Sequence, residues 1–213
     1  MSNIHKLLDY IGIQTYVLRS TIKPDDKISN ETNWVELEKK VSHCKDCELH
    51  KTRTQTVFGY GNQQSDWLFI GEAPGKDEDL KGEPFVGRAG RLLNEVIFSL
   101  GLEREEVYIA NILKCRPPNN RDPSQDEIRS CTTYLQQQIK MISPKIIIAV
   151  GRVAAQHLLN TDLTMAKLRG TVHSYGSESI PLITIYHPAY LLRSPSQKHK
   201  VWSDLQVLKT LMQ

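Results

Sequence analysis

Long apolar runs are missing from this chain of 213 residues. None approaches the roughly 18 residues that a bilayer-crossing helix requires, which argues against a helical membrane protein. The first residues, Met1-Ser2-Asn3-Ile4-His5-Lys6, lack the basic-then-apolar layout of a secretory leader, so a cytoplasmic location is expected. A large excess of charge of one sign is also missing. The formal net charge is +3 and the pI near 8.6, which permits a nucleic-acid partner without demanding one. Internal repeats and low-complexity tracts are absent. So is the Gly-Lys-Ser/Thr ending of a phosphate-binding Walker loop, which argues against a nucleoside triphosphatase.

What is there has the balance of an ordinary folded chain, with 39% hydrophobic and 24% charged residues. There are four cysteines, Cys44, Cys47, Cys115 and Cys131, in a C-x2-C pair and a later C-x15-C pair. Four thiols so grouped suit one tetrahedral sulfur-ligated centre, of zinc or of iron and sulfide. Two disulfides or four separate buried thiols are the plain alternative, disfavoured in a reducing compartment. The loose second pair is unusual for zinc.

Periodicity predicts an amphipathic helix over residues 4–18, on Ile4, Leu7, Leu8, Ile11 and Leu18. A polar, proline-bearing linker follows over 21–32, and the main domain is expected over 33–213, entered by a helix that places Trp34, Leu37 and Val41 on one face. Strands are expected at 66–71, 107–111, 145–150 and 180–186, with helices over 89–100, from Asp122 through Leu135, from Gly151, and over 197–212. For the helix after Asp122, Asp122 is the expected N-cap, with Pro123 in its first turn. The run Ile146-Ile147-Ile148-Ala149-Val150 does not alternate and so reads as buried on both faces. Strands alternating with helices imply an α/β fold of three layers (αβα) around a central four-stranded parallel sheet. In such sheets ligands bind beyond the carboxyl ends of the strands. The polar and glycine-rich punctuation, Gly71-Glu72-Ala73-Pro74-Gly75, Asn111, Gly151-Arg152 and His187-Pro188, falls at that edge. Turns alone explain the glycines and prolines, but not the convergence of Asn111, His187 and an acidic cluster.

The densest segment is Gly71-Glu72-Ala73-Pro74-Gly75-Lys76-Asp77-Glu78-Asp79, followed by Pro84-Phe85-Val86-Gly87-Arg88. Its acids can hold a water or a cation, and Phe85 lies in a loop with no evident core to join. Together with Asn111-Ile112-Leu113-Lys114-Cys115-Arg116-Pro117-Pro118 and His187-Pro188 through Leu192-Arg193, this segment resembles the family 4 uracil-DNA glycosylases. The resemblance runs from about Val41 to Leu208 and leaves out residues 1–32.

The resemblance implies a monofunctional DNA glycosylase whose partner is uracil-containing DNA, single- or double-stranded; a monomer with no membrane partner is expected. It implies that Cys44, Cys47, Cys115 and Cys131 hold a structural 4Fe–4S cluster. It implies a uracil pocket in which Phe85 supplies an aromatic face, Asn111 reads the Watson–Crick edge and His187, neutral, donates to O2 as charge develops there. The departure lies at Ala73, where many glycosylases of the wider superfamily carry aspartate. Glu72, assisted by the Ala73 backbone, is then the expected water-orienting group, Glu78 the other candidate, and Asp79 a loop-capping residue. For DNA, Leu191 or Leu192 is expected to wedge into the base stack, Arg193 to hold a phosphate, and Gly151-Arg152 to offer backbone N–H groups to another. Lys114 and Arg116, flanking Cys115, are expected to present positive charge to DNA. Lys76 and Lys81 are read as surface residues, which leaves no amine nucleophile. The competing reading is a non-catalytic or redox-sensing iron–sulfur DNA-binding protein on the same fold.

Overall fold

The computed structural model describes residues 30–211. The expected helix over 4–18 and nearly all of the expected linker lie outside the described residues. Helix α1 spans Asn30–His43 and therefore begins inside the segment read as linker.

Among the described residues six strands form one sheet: β1 (Tyr60–Gly61), β2 (Trp67–Gly71), β3 (Tyr108–Asn111), β4 (Ile146–Val150), β5 (His173–Tyr175) and β6 (Ile180–Ile185), in the order β1-β3-β2-β4-β6-β5. The four expected strands are the central ones, β3, β2, β4 and β6, and they are mutually parallel. The sheet is larger than expected because two short strands, β1 and β5, add antiparallel edges. Segments of two and three residues are too short to show a period in sequence, and their pairing depends on the neighbour they meet.

The helices in chain order are α2 (Lys76–Lys81), α3 (Arg88–Ser99), α4 (Gln125–Ile142), α5 (Arg152–Leu159), α6 (Met165–Leu168), α7 (Pro188–Arg193) and α8 (Lys198–Leu211). They cover both sheet faces, and the strand alternation divides the core accordingly. Leu68, Ile70, Tyr108, Ala110, Ile147 and Ala149 pack with α1, α4 and α5. Phe69, Ile109, Ile146, Ile148, Ile183 and Ile185 pack with α3, α7 and α8. All five residues of β4 are buried, the pattern of a strand with a helical layer on either side. Among the described residues, no helix is long and apolar enough to cross a membrane.

The entry to α4 differs from expectation. Ser124, not Asp122, is the N-cap: its hydroxyl accepts from the Glu127 amide at 3.2 Å while the Glu127 carboxylate accepts from the Ser124 amide at 2.8 Å. This reciprocal Ser-x-x-Glu box satisfies two otherwise orphaned amides. It frees Asp122, which instead accepts from the Arg152 guanidinium at 2.9 Å.

The register sets up the functional edge. Gly71 lies opposite Asn111, and Val150 lies opposite Ile185. The carboxyl ends of all four parallel strands thus open on one side, with the loops after β2, β3 and β6 around a common space.

Candidate active site and cysteine site

That space is a cavity of about 740 Å³. Glu72, Ala73, Glu78, Phe85, Asn111, Arg152, His187 and Arg193 line it, together with Tyr186 and Tyr190. Most residues singled out from sequence therefore converge. Gly151, Leu191 and Leu192 are not part of the lining.

Asn111 ends β3 and is 2% exposed. Its Oδ1 is buried without a hydrogen-bond partner. Such an orphaned acceptor is uncommon and costly in a folded protein, and a ligand donor is one explanation for it. Gly71 makes the position possible. A Cβ on Gly71 would stand 2.4 Å from Asn111 Oδ1 and 2.6 Å from the tip of the Phe85 ring.

Phe85 is more buried than the sequence suggested. It joins the core layer beneath α3 at 7% exposure while its ring still lines the cavity. Its φ of 52° is a left-handed conformation that a bulky residue adopts only when its surroundings impose it. Arg104 braces this turn, donating to the Pro84 carbonyl at 2.5 Å, the Phe85 carbonyl at 3.3 Å and Asn94 Oδ1 at 2.9 Å. Sequence reasoning missed Arg104, because nothing local links it to a loop nearly 20 residues upstream.

The His187 ring lies 5.7 Å from that of Phe85, inclined by 34°. His187 caps α7, and its Nδ1 accepts from the Ala189 amide at 3.1 Å. An accepting Nδ1 leaves Nε2 as the protonated, donating nitrogen of the neutral ring. Burial, reinforced by the Arg193 charge, pushes its pKa down to about 4, against a smaller opposing effect of Glu78. The imidazole is therefore neutral near pH 7. Gly151, at φ 97°, accommodates the ring: a Cβ there would come within 2.9 Å of the His187 Cβ.

The acids divide by what they touch. Glu78 accepts from three backbone amides, Gly75 at 3.1 Å, Val86 at 2.9 Å and Gly87 at 3.0 Å. Its carboxylate thereby clasps the two loops together and is poorly free to activate water. Asp79 is buried and accepts from the Thr54 amide and hydroxyl at 2.9 and 2.8 Å, so it fixes the loop across the chain. Glu72 makes no such bond. Burial first, then the Asp122 charge, pushes its pKa up to about 7, partly offset by Arg152. A carboxylate poised near neutral pH suits proton transfer better than an ordinary one.

Of the two wedge candidates, Leu191 is corrected. It is 2% exposed and packs into the core, so it cannot enter a base stack. Leu192, the next residue on α7, is 36% exposed, and Arg193 beside it is exposed too. Arg152 opens α5, but its guanidinium is engaged by Asp122 at 2.9 Å and Gln156 at 3.1 Å. Lys114 is also corrected. It is 1% exposed and buried beneath the site, so it presents no charge to DNA. Arg116 is half-buried and donates to Asn120 at 2.7 Å.

The four cysteines are unpaired with one another and line a single small cavity. Cys44 and Cys47 follow α1, Cys115 follows β3, and Cys131 lies in α4. Arg53 ties these segments, donating to Cys115 Sγ at 3.0 Å and to the Cys44 carbonyl at 2.9 Å. The Lys114 amide approaches Cys131 Sγ at 3.5 Å. Burial pushes the Cys131 thiol up to about 11 and raises Cys47 and Cys115, so metal ligation must displace protons there. Among the described residues, no group of three or more His, Cys, Asp or Glu is placed to hold a single metal ion. Four soft sulfur donors nonetheless line one cavity, the donor set that an iron–sulfur cluster or a zinc ion takes.

Comparison with known proteins finds relatives along most of the chain. The model of the uracil DNA glycosylase superfamily matches residues 58–206. A type-4 uracil-DNA glycosylase of Archaeoglobus fulgidus is 46% identical over 179 residues, covering 81% of this chain and 90% of the relative. One of Thermotoga maritima is 40% identical over 178 residues, covering 81% and 91% respectively. A DNA polymerase of Bacillus phage SP01 shares 31% identity over 168 residues, which cover 78% of this chain and 18% of that longer protein.

Proposed function

The chain belongs to the uracil DNA glycosylase superfamily and is a DNA glycosylase, a hydrolase; on that premise we propose that it removes uracil from DNA by a monofunctional mechanism and leaves an abasic site. The observation that carries the choice of base is the buried, unpartnered Oδ1 of Asn111, in the cavity that Phe85 and His187 also line. Uracil offers a donor at N3–H to that acceptor and an acceptor at O4 to the amide nitrogen beside it. Cytosine would set donor against donor, so a hydrogen-bond mismatch excludes it.

The nucleotide must leave the base stack before it can reach this depth, at a cost of roughly a few kcal/mol. Leu192 is suited to fill the vacated space, and Arg193 and the N-terminus of α5 to hold phosphates. As the N-glycosidic bond lengthens, the sugar gains oxocarbenium character and the base gains negative charge. The neutral His187 then donates from Nε2 to O2, where the charge grows. Glu72 orients the attacking water and offsets the positive sugar by its own charge. Lys76 and Lys81 are both exposed, which supports water rather than an amine as nucleophile. Cys44, Cys47, Cys115 and Cys131 are suited to hold a 4Fe–4S cluster, which would cross-link the chain entry, the loop after β3 and α4. Its role on this reading is structural.

The test uses anaerobically purified protein, single- and double-stranded oligonucleotides carrying one uracil, and alkali to cut abasic sites. Strand cleavage only at uracil is expected. Its absence from cluster-loaded protein overturns the reading and favours a non-catalytic DNA-binding protein.

The pH dependence follows from Glu72. Its folded pKa of about 7 lies above the ordinary 4.5, so kcat should rise as pH increases through about 7 and the carboxylate loses its proton. The same raised value means that any stability from the protonated form is complete below pH 4.5 and lost as pH climbs through 7. Glu72→Gln should lower kcat by roughly a hundredfold and flatten the rise. A steep rise retained in Glu72→Gln would assign the titration to another group.

A further inference from the structure

Lys114 takes no direct part in the chemistry above, yet it is one of the largest fully buried side chains of the described residues. An ammonium removed from water is costly unless charge and hydrogen bonds compensate it. Its hydrogen-bond acceptors are both neutral: the main-chain carbonyl of Asn111 at 2.8 Å and Gln138 Oε1 at 2.6 Å. Gln138 is itself held, donating to the Phe58 carbonyl at 3.0 Å and to the Tyr108 hydroxyl at 3.4 Å. With a cluster bound, the compensating negative charge would come from the cysteine site, whose cavity Lys114 helps to line. Lys114 precedes Cys115 in the chain, and its amide approaches Cys131 Sγ at 3.5 Å. Four thiolates around an iron–sulfur core carry net negative charge, which a buried ammonium alongside would offset. On its other side the same ammonium grips the backbone of the residue whose Oδ1 is left open to the pocket.

We propose that Lys114 is a positioning residue that couples the cysteine-held cluster to the base reader Asn111. A cluster held by the four cysteines would keep the ammonium in the interior by its negative charge, and the ammonium holds the end of β3 at the height where Asn111 meets the base. The inference rests on the uracil-pocket reading and adds to it a reason for the cluster to lie behind the pocket. Without Lys114 the Asn111 carbonyl loses its charge-assisted donor, and the reader is free to shift.

The test measures binding of free uracil by equilibrium dialysis to anaerobically purified wild type, Lys114→Met, Asn111→Ala and the double variant. Methionine keeps the length and buried volume of the side chain without its charge. Lys114→Met is expected to weaken uracil binding about tenfold, and to add nothing once Asn111 is already alanine, because the two act through one contact. Iron release to a chelator should be faster from Lys114→Met than from wild type. Unchanged uracil binding in Lys114→Met, or a loss that adds in full to that of Asn111→Ala, overturns the coupling. If Lys114→Met yields no folded protein, Gln138→Leu is read in the same cycle, and unchanged uracil binding there overturns it equally. Wild type that binds no uracil overturns the pocket reading and the coupling with it. Wild type that binds while Lys114→Met is unaltered overturns the coupling alone.

Discussion

Asn111→Ala is expected to lower kcat/KM for uracil excision by roughly 10²- to 10³-fold, because both hydrogen bonds proposed to identify the base are lost together. The stability of this variant should move the other way from that of an ordinary buried asparagine. Asn111 Oδ1 has no partner in the free protein, so alanine removes an unsatisfied acceptor as well as a side chain. The thermal midpoint should therefore stay near that of wild type or rise, the signature of a site held at some expense to stability. Thermal unfolding and single-turnover excision on the same preparation check both halves. A large fall in midpoint together with full activity would return Asn111 to a purely structural role. Discrimination supplies a third readout. With no amide to oppose the cytosine amino group, the ratio of uracil to cytosine excision should shrink even as both rates fall.

His187→Ala should cost roughly 10²- to 10³-fold in kcat with little change in KM, since the lost donor matters chiefly when charge has moved onto the base. The side chain also caps α7 through Nδ1, so alanine should cost about 1 kcal/mol of stability besides. His187→Asn separates the two effects: asparagine is a good N-cap, and should restore the stability while leaving kcat low. The pH behaviour gives an independent check. With its pKa down to about 4, His187 is neutral across the working range, and no loss of activity should trace to its protonation near 6.5. The sign for stability is the usual one for a histidine buried neutral. The unfolded chain takes up a proton first, so stability is lost as pH falls from 6.5 toward 4. A kcat limb near 6.5 that disappears in His187→Asn would show instead that the histidine titrates in catalysis.

Much of this architecture was readable from the residues. The unbroken run Ile146–Val150 reads as a strand covered on both faces, and it is fully buried. The glycines and polar residues that end the four main strands marked the edge where the cavity opens. The motifs around Gly71, Phe85, Asn111 and His187 carried the pocket because each is local: strand end, loop and side chain occur within a few residues of one another.

What escaped sequence reasoning shares one character. Leu191 and Leu192 are chemically alike and adjacent, and only the facing of α7 on the sheet buries one and exposes the other. Glu78 and Glu72 are equally acidic in sequence, but three backbone amides occupy the first while the second is left to burial and the Asp122 charge. Lys114 reads as a surface cation until the loop after β3 folds it beneath the pocket. Arg53 and Arg104 had no local signal, because their partners lie far along the chain.

By itself, then, the sequence determined the α/β class, the four parallel strands, the edge at which the site lies and the chemical types gathered there. Period, punctuation and residue chemistry are local properties, and they survive without a fold. Only the tertiary structure decided which acid is free, which leucine is exposed, which histidine nitrogen carries the proton and which lysine is buried. Those outcomes depend on burial and on partners brought together from distant parts of the chain, and desolvation is felt only once the chain has closed around the group.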